Sequence, residues 1–329
     1  MQLRKITAAA MAGMFVGFVV LPLPRTTAAM EDAPPAAAQS AAASDTAKKP
    51  EGQPFEDPQA VAQHFADELG KLKEQEKTLP PEKLVEQAAE EKTYPITTDA
   101  DPGKKLDPET VYTQSRPGVV VVGGIYKCTK CQHWHAQCSS GFVIRRDGLI
   151  LTNFHVVEGM KKLEAAGIMT EDGRVFPVKA LLASSRLNDL ALLKVDAEDL
   201  HPLPVSDDVK VGATIYCLSH PALAGGKGNG FFMFSQGMVC GKFTFQNDKQ
   251  QSVKMLGVTV EYGPGSSGGP ILNEHGAVVA MACQAIPVVQ ADQEKGTQLI
   301  WRLSRPSCSI LNLLGKPAEK PKPAGGSAP

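Results

Sequence analysis

Three short stretches carry side chains that together could turn a hydroxyl into a nucleophile. Leu151-Thr152-Asn153-Phe154-His155-Val156-Val157 delivers a histidine among β-branched core residues at the end of a strand-like run. Asn188-Asp189-Leu190-Ala191-Leu192-Leu193 sets an acid immediately before an apolar run, and Gly265-Ser266-Ser267-Gly268-Gly269-Pro270 embeds a serine in glycine. A serine hydroxyl is a poor nucleophile unless a neutral imidazole takes its proton. That imidazole keeps the right tautomer when a carboxylate bonds its far nitrogen. His155, Asp189 and Ser267 are therefore the candidate base, orienting acid and nucleophile. Glycine around Ser267 lets the backbone turn tightly, so that the amides of Gly265 and Ser267 point into one hollow. Such donors, aimed at a developing oxyanion, each stabilise the transition state by about 3 kcal/mol.

The elements that must hold these groups are short strands. From Asp107 onward, eleven apolar or alternating runs (VVVVGGIY, GFVIRR, LILTN, VFPVKALLA, LALLKV, ATIYCL, GMVCGKF, MLGVTVE, PILN, AVVAMAC and QLIWRL) are separated by Gly, Pro, Asn and Asp. No long helices intervene, which argues for an all-β barrel or sandwich and against an alternating α/β hydrolase. Asp107-Pro108-Glu109 reads as an N-cap with Pro at the first helical position, so a short helix enters this region. One or two helical turns are expected around Glu158 to Ala166, and another near Ser309 to Leu314.

The three blocks, in the order His, Asp, Ser, resemble the trypsin-like peptidases of the chymotrypsin superfamily, closest to the HtrA-type branch. Ser140 to Gly159 (SGFVIRRDGLILTNFHVVEG) is similar to that family's first catalytic block, NDLALLKV to the acid block and GPGSSGGPILNEHGAVVAM to the serine block. The resemblance runs from about Asp107 to Leu314. It implies two packed six-stranded β-barrels with the triad at their junction, endopeptidase activity through an acyl-enzyme, and no required cofactor. A latent binding or chaperone-like module on the same fold is the alternative. Three departures stand out. Ser266 occupies a position where the family usually has Asn, and its contribution is expected to be mainly backbone. No PDZ module is expected after the peptidase, because the chain runs into KPAEKPKPAGGSAP. The loop between the first two strands is replaced by a cysteine- and histidine-bearing hairpin.

That hairpin, Cys128-x2-Cys131-x-His133-x-His135-x2-Cys138, offers up to five soft or borderline ligands for a structural zinc ion. In an exported chain a disulfide that staples the hairpin, with Trp134 packed over it, is the favoured expectation, and zinc the alternative. Three further cysteines, Cys217, Cys240 and Cys283, lie in apolar runs and are expected in the core. For the specificity pocket the resemblance points to residues just before the nucleophile and to the strand after it. Glu261 could line the pocket and favour Lys or Arg side chains, although a solvated strand end is the simpler reading. Otherwise Met281, Ala282 and Cys283 would make a small apolar pocket. His220, in the loop SHPALAGGKGNG, reads as an ordinary loop residue.

The termini are of a different character. Arg4 and Lys5 precede an apolar segment from Ile6 to Leu23, and Thr27-Ala28-Ala29 offers small residues for cleavage, so residues 1–29 read as a signal peptide or else a membrane anchor. Residues 30–54 are an Ala/Pro-rich disordered linker, 55–106 a helical extension, 107–315 the peptidase domain and 316–329 a disordered tail. In the extension Phe55, Val61, Phe65, Leu69 and Leu72 recur at helical spacing up to Pro80-Pro81, and a second short helix follows. The net charge of −1 gives no electrostatic reason to bind nucleic acid. Expected partners are protein or peptide substrates, a homo-oligomer is allowed, and membrane contact arises only if the first segment is retained. The expected location is periplasmic or extracellular.

Overall fold

A computed structural model describes residues 55–88, 91–98, 103–207, 209–224, 228–247, 249–289 and 297–315. The expected signal peptide, linker and tail lie outside these residues. Among the described residues no helix is long and apolar enough to cross a membrane.

Twelve strands form two closed antiparallel barrels. The first contains β1 (Val119–Lys127), β2 (Trp134–Arg145), β3 (Leu149–Thr152), β4 (Ala165–Met169), β5 (Val175–Ser185) and β6 (Leu190–Val195), in ring order β1-β2-β3-β6-β5-β4. The second contains β7 (Thr214–Ser219), β8 (Met233–Gln246), β9 (Ser252–Val258), β10 (Pro270–Leu272), β11 (Val278–Val289) and β12 (Thr297–Pro306), in ring order β10-β11-β12-β9-β8-β7. Closure leaves no free sheet edge, which is how an all-β chain of short strands avoids pairing with its neighbours.

The run Val119 to Val122 shows why the sequence does not alternate where simple period-2 patterning would. Val120 and Val122 belong to one apolar cluster with Val143, Ile150, Leu193 and Val195. Val119 and Val121 join another, which includes Phe65 and Leu69 as well as Tyr216, Leu218 and Met281 of the second barrel. Both faces of these strands are covered, so a continuous β-branched run fits where a one-faced strand would alternate.

Among the described residues there are also five α-helices: α1 (Pro58–Glu74), α2 (Pro81–Gln87), α3 (Pro108–Ser115), α4 (Phe154–Gly159) and α5 (Ser307–Leu313). In α1 the Asp57 carboxylate caps the amides of Gln59 and Ala60, Pro58 occupies the first turn, and Lys71 and Lys73 complement the last. Phe65 and Leu69, one turn apart, are fully buried. In α3 Asp107 accepts the Thr110 amide at 2.8 Å, as the Asp-Pro-Glu pattern predicts. Residues 91–98 then strap the fold together, since Lys92 bridges to Ser184 on β5 while Tyr94 and Ile96 donate to Leu313 and Leu314 at the end of α5.

One strand was not expected. The sequence predicts helical turns around residues 158–166, whereas the helix spans Phe154–Gly159, a 3-10 turn follows at Met160–Lys162, and Ala165–Met169 forms β4. The sequence AAGIM has little β-propensity of its own, so pairing decides the outcome. β4 closes the barrel between β1 and β5, and its small residues leave room for α1: a Cβ on Gly167 would lie 2.9 Å from Leu69 Cδ1. Cys240 also departs from expectation. It is exposed, because it sits at the irregularity between Val239 and Gly241, on the face of β8 that alternates out to solvent.

The contact of Leu69 with β4 makes α1 part of the barrel's packing. Leu69→Ala should destabilise the fold by about 2–5 kcal/mol, the cost of emptying a buried leucine site. A urea denaturation midpoint unchanged from the parent protein would show that α1 is a loosely attached appendage.

Candidate active site

His155 sits in the first turn of α4, Asp189 at the end of the turn leading into β6, and Ser267 in the turn between β9 and β10. The structure brings the three together. His155 Nε2 is 2.9 Å from Ser267 Oγ, and His155 Nδ1 is 2.8 Å from Asp189 Oδ2. The other Asp189 oxygen accepts the His155 backbone amide at 2.9 Å, so the carboxylate grips both the ring and the chain that carries it. Asp189 has φ of +51°, the left-handed region that Asp tolerates better than most residues, and its own carbonyl accepts from the Asn153 side chain at 2.8 Å. Burial pushes the Asp189 carboxyl up, but the hydrogen bonds and charge of His155 outweigh it and hold the group ionised below the usual carboxylate range.

The serine turn is shaped by its carbonyls. Ala222 N donates to Pro264 O, Ser140 Oγ to Gly265 O, Gly269 N to Ser266 O, and both Ser140 N and Ser139 Oγ to Ser267 O. All four carbonyls are thus held by the protein, whereas among the described residues the amides of Gly265 and Ser267 have no acceptor. Gly265 and Gly268 take φ of +85° and +88°, and a Cβ on Gly268 would meet Ser140 O at 2.1 Å, so the close approach of β2 requires glycine there. Ser266 does more than supply backbone. Its fully buried hydroxyl accepts from Ser219 Oγ at 3.0 Å and from the Gly263 amide at 3.3 Å.

Beside Ser267 and His155 lies a cleft of about 260 Å³, walled by Val122, Gln137, Cys138, Met160 and Leu163. None of the four residues considered for a specificity pocket lines it. Glu261 is exposed and its carboxylate pairs with Arg302, so its charge is already answered. Met281 and Ala282 are fully buried in the core. Cys283 lies behind the triad, with its thiol 3.1 Å from Asp189 Oδ2. Burial, with the Asp189 charge adding to it, keeps that thiol protonated and so able to donate. No sequence signal announces this placement: it follows from β11 bonding the serine turn through Ala282, next to Cys283 (Gly268 N to Ala282 O, 3.1 Å).

The hairpin also differs from its favoured reading. All seven cysteines are free. Cys138 stands opposite Gly123, five ladder rungs from the Cys128–His133 end, roughly 16 Å away at strand spacing and out of disulfide reach. Cys128, Cys131 and His135 cluster instead, their ligand atoms all within 4.8 Å. Trp134 does not cover them; it tucks against α1, with Nε1 3.2 Å from Glu74 Oε1.

His220, expected as an ordinary loop residue, has a structural part in the site. It is fully buried beside Phe231 and Phe232, and its Nδ1 accepts the Phe232 amide at 3.0 Å. Its own amide donates to Ser140 Oγ at 2.9 Å, which in turn donates to Gly265 O at 2.9 Å. His220 therefore anchors the loop that holds the serine turn.

The described residues thus form two six-stranded antiparallel barrels with a Ser-His-Asp constellation where they meet. Residues 139–281 match the family model of the trypsin-like peptidase domain. The probable periplasmic serine endoprotease DegP-like of Hahella chejuensis is 34% identical over 148 residues, covering 44% of this chain and 29% of that protein. Its counterpart from Halomonas elongata is 32% identical over 150 residues, again 44% of this chain and 29% of that protein. The chain thus spans less than a third of the length of these relatives. Among solved structures, the HtrA-type protease AlgW with decapeptide superposes with a TM-score of 0.52 at 17% identity, covering 64% of this chain and 67% of that one, which is a likeness of fold.

Burial pushes the pKa of His220 down to about 3, with the Arg116 charge acting in the same direction. A histidine that is neutral when folded but protonated when unfolded costs stability as pH falls from about 6.5 toward the folded value. The urea midpoint should therefore drop between about pH 6.5 and 4.5, before carboxylates such as Asp189 begin to titrate. In His220→Gln this slope should flatten; a variant with the parent's slope would remove His220 as its source.

Proposed function

We propose that this chain is an exported serine endopeptidase that cleaves protein or peptide substrates through an acyl-enzyme. The observation that carries the reading is the unbroken relay from Ser267 Oγ through the His155 ring to Asp189, with contacts of 2.9 and 2.8 Å. Ser267 Oγ attacks the substrate carbonyl carbon as His155 Nε2 accepts its proton. Asp189 keeps the other ring proton on Nδ1 and stabilises the imidazolium while the charge lasts. The negative charge formed on the former carbonyl oxygen is accepted by the Gly265 and Ser267 amides, which have no competing partner. His155 then returns its proton to the leaving amine as the C–N bond breaks. Water, deprotonated by the same ring, attacks the ester and frees the carboxylic acid and Ser267.

No step of this route calls for a cofactor. The names of the relatives, periplasmic serine endoproteases, favour the same activity and an exported location. The cleft beside Ser267 is walled by Val122, Met160 and Leu163, a surface suited to an apolar substrate side chain next to the cut.

Hydrolysis of unfolded casein gives the test. Ser267→Ala should lower kcat/KM by at least about 10⁴-fold while the circular dichroism spectrum and urea midpoint stay at parent values. Residual cleavage at the parent rate by the folded variant would mean that Ser267 is not the nucleophile. A parent protein that is folded yet cleaves nothing would favour a binding role on the same scaffold.

A further inference from the structure

The β1–β2 hairpin ends in a turn that the barrel does not need and the hydrolytic reading does not use. Cys128 N donates to His133 O at 3.0 Å and Gln132 N to Cys128 O at 2.9 Å, with Gln132 at φ +61°. Cys131 Sγ lies 3.1 Å from His135 Nε2, and the His135 ring is stacked on Tyr126 with centroids 5.6 Å apart, which fixes its direction. The turn is thus closed by backbone hydrogen bonds without any sulfur–sulfur link, and its sulfurs converge on a histidine.

We propose that Cys128, Cys131 and His135 bind one zinc ion, with His133 completing the tetrahedron. Their ligand atoms already lie within 4.8 Å of one another. Tetrahedral zinc, with bonds of about 2.3 Å to sulfur and 2.0 Å to nitrogen, needs them roughly 3.3–3.8 Å apart, so closure takes about an ångström. His133 is supplied by the ladder. Tyr126 pairs with His135 and Lys127 with Trp134, so alternation puts the next pair, Cys128 and His133, on the face that carries His135. Two thiolates and two imidazoles with no carboxylate favour zinc over calcium or magnesium. On binding, the two thiols release two protons, and their charges cancel that of the ion.

The site has a mechanical address. β2 runs from His135 straight to Gln137, Cys138 and Ser139, which wall the cleft, and to Ser140, which holds the serine turn. At the tip, Trp134 anchors the same strand to α1. An ion there stiffens the end of a hairpin whose base shapes the site. The assignment of zinc does not depend on the chain being a peptidase.

The test is to titrate the full, reduced chain anaerobically with cobalt(II) and then with zinc. One equivalent of cobalt should bring up the visible bands of a tetrahedral thiolate site, and one equivalent of zinc should bleach them. Cys128→Ser and His135→Ala should each weaken binding by at least about tenfold. Cys240→Ser, at an exposed cysteine elsewhere, should leave it unchanged and controls for general damage. Amide exchange over residues 127–137 should slow when zinc is added to the parent chain. Absence of tetrahedral bands would overturn the proposal, as would bands that persist in the Cys128→Ser, Cys131→Ser double variant. So would isolation of the chain, without zinc, carrying a Cys128–Cys131 disulfide.

Discussion

The site depends on Ser140. This fully buried residue of the first barrel donates its amide to Ser267 O and its hydroxyl to Gly265 O, and accepts the His220 amide. His155 and Ser267 come from different barrels, so the contact between them is only as well defined as the seam that joins the barrels. Ser140 is that seam's hinge-pin. Its carbonyl is itself held by Thr152 Oγ1 at 2.8 Å, on the strand that leads into the histidine helix. One residue thereby ties the serine turn and the approach to His155 to a common point. A buried hydroxyl pays for its desolvation only when fully bonded, and here every partner is supplied by the fold.

The electrostatics follow from that rigidity. Asp189 is nearly enclosed, and an enclosed carboxylate resists ionisation unless donors surround it. The His155 amide, the His155 ring and the Cys283 thiol provide them. The carboxylate is in this way committed to orienting the ring rather than exchanging protons with solvent. On the other side of the serine, each carbonyl of the turn is occupied by a partner, while the amides of Gly265 and Ser267, both lining the cleft, have no acceptor among the described residues. Preorganised donors of this kind need no rearrangement when charge develops on the substrate.

Much of this was legible in the sequence. The three blocks name His155, Asp189 and Ser267, and eleven of the twelve strands announce themselves through β-branched runs between turn residues. What was not legible depends on tertiary contacts. β4 is a run of small residues chosen to let α1 approach, so its own propensity says little. His220 looks like loop punctuation until Phe231 and Phe232 close over it. Glu261 was a reasonable pocket residue on charge alone, but Arg302 reaches it from β12, forty-one residues later in the chain. The hairpin cysteines illustrate the same limit, since spacing cannot distinguish a sulfur that meets another sulfur from one that meets a histidine.

The central claim is that Ser267 is made nucleophilic by its contact with His155. Intact-protein mass spectrometry after treatment with diisopropyl fluorophosphate tests it most directly. The account predicts a single diisopropylphosphoryl adduct on Ser267, and none in a folded His155→Ala variant. A folded chain that stays unmodified, or that carries the adduct on another residue, would contradict it.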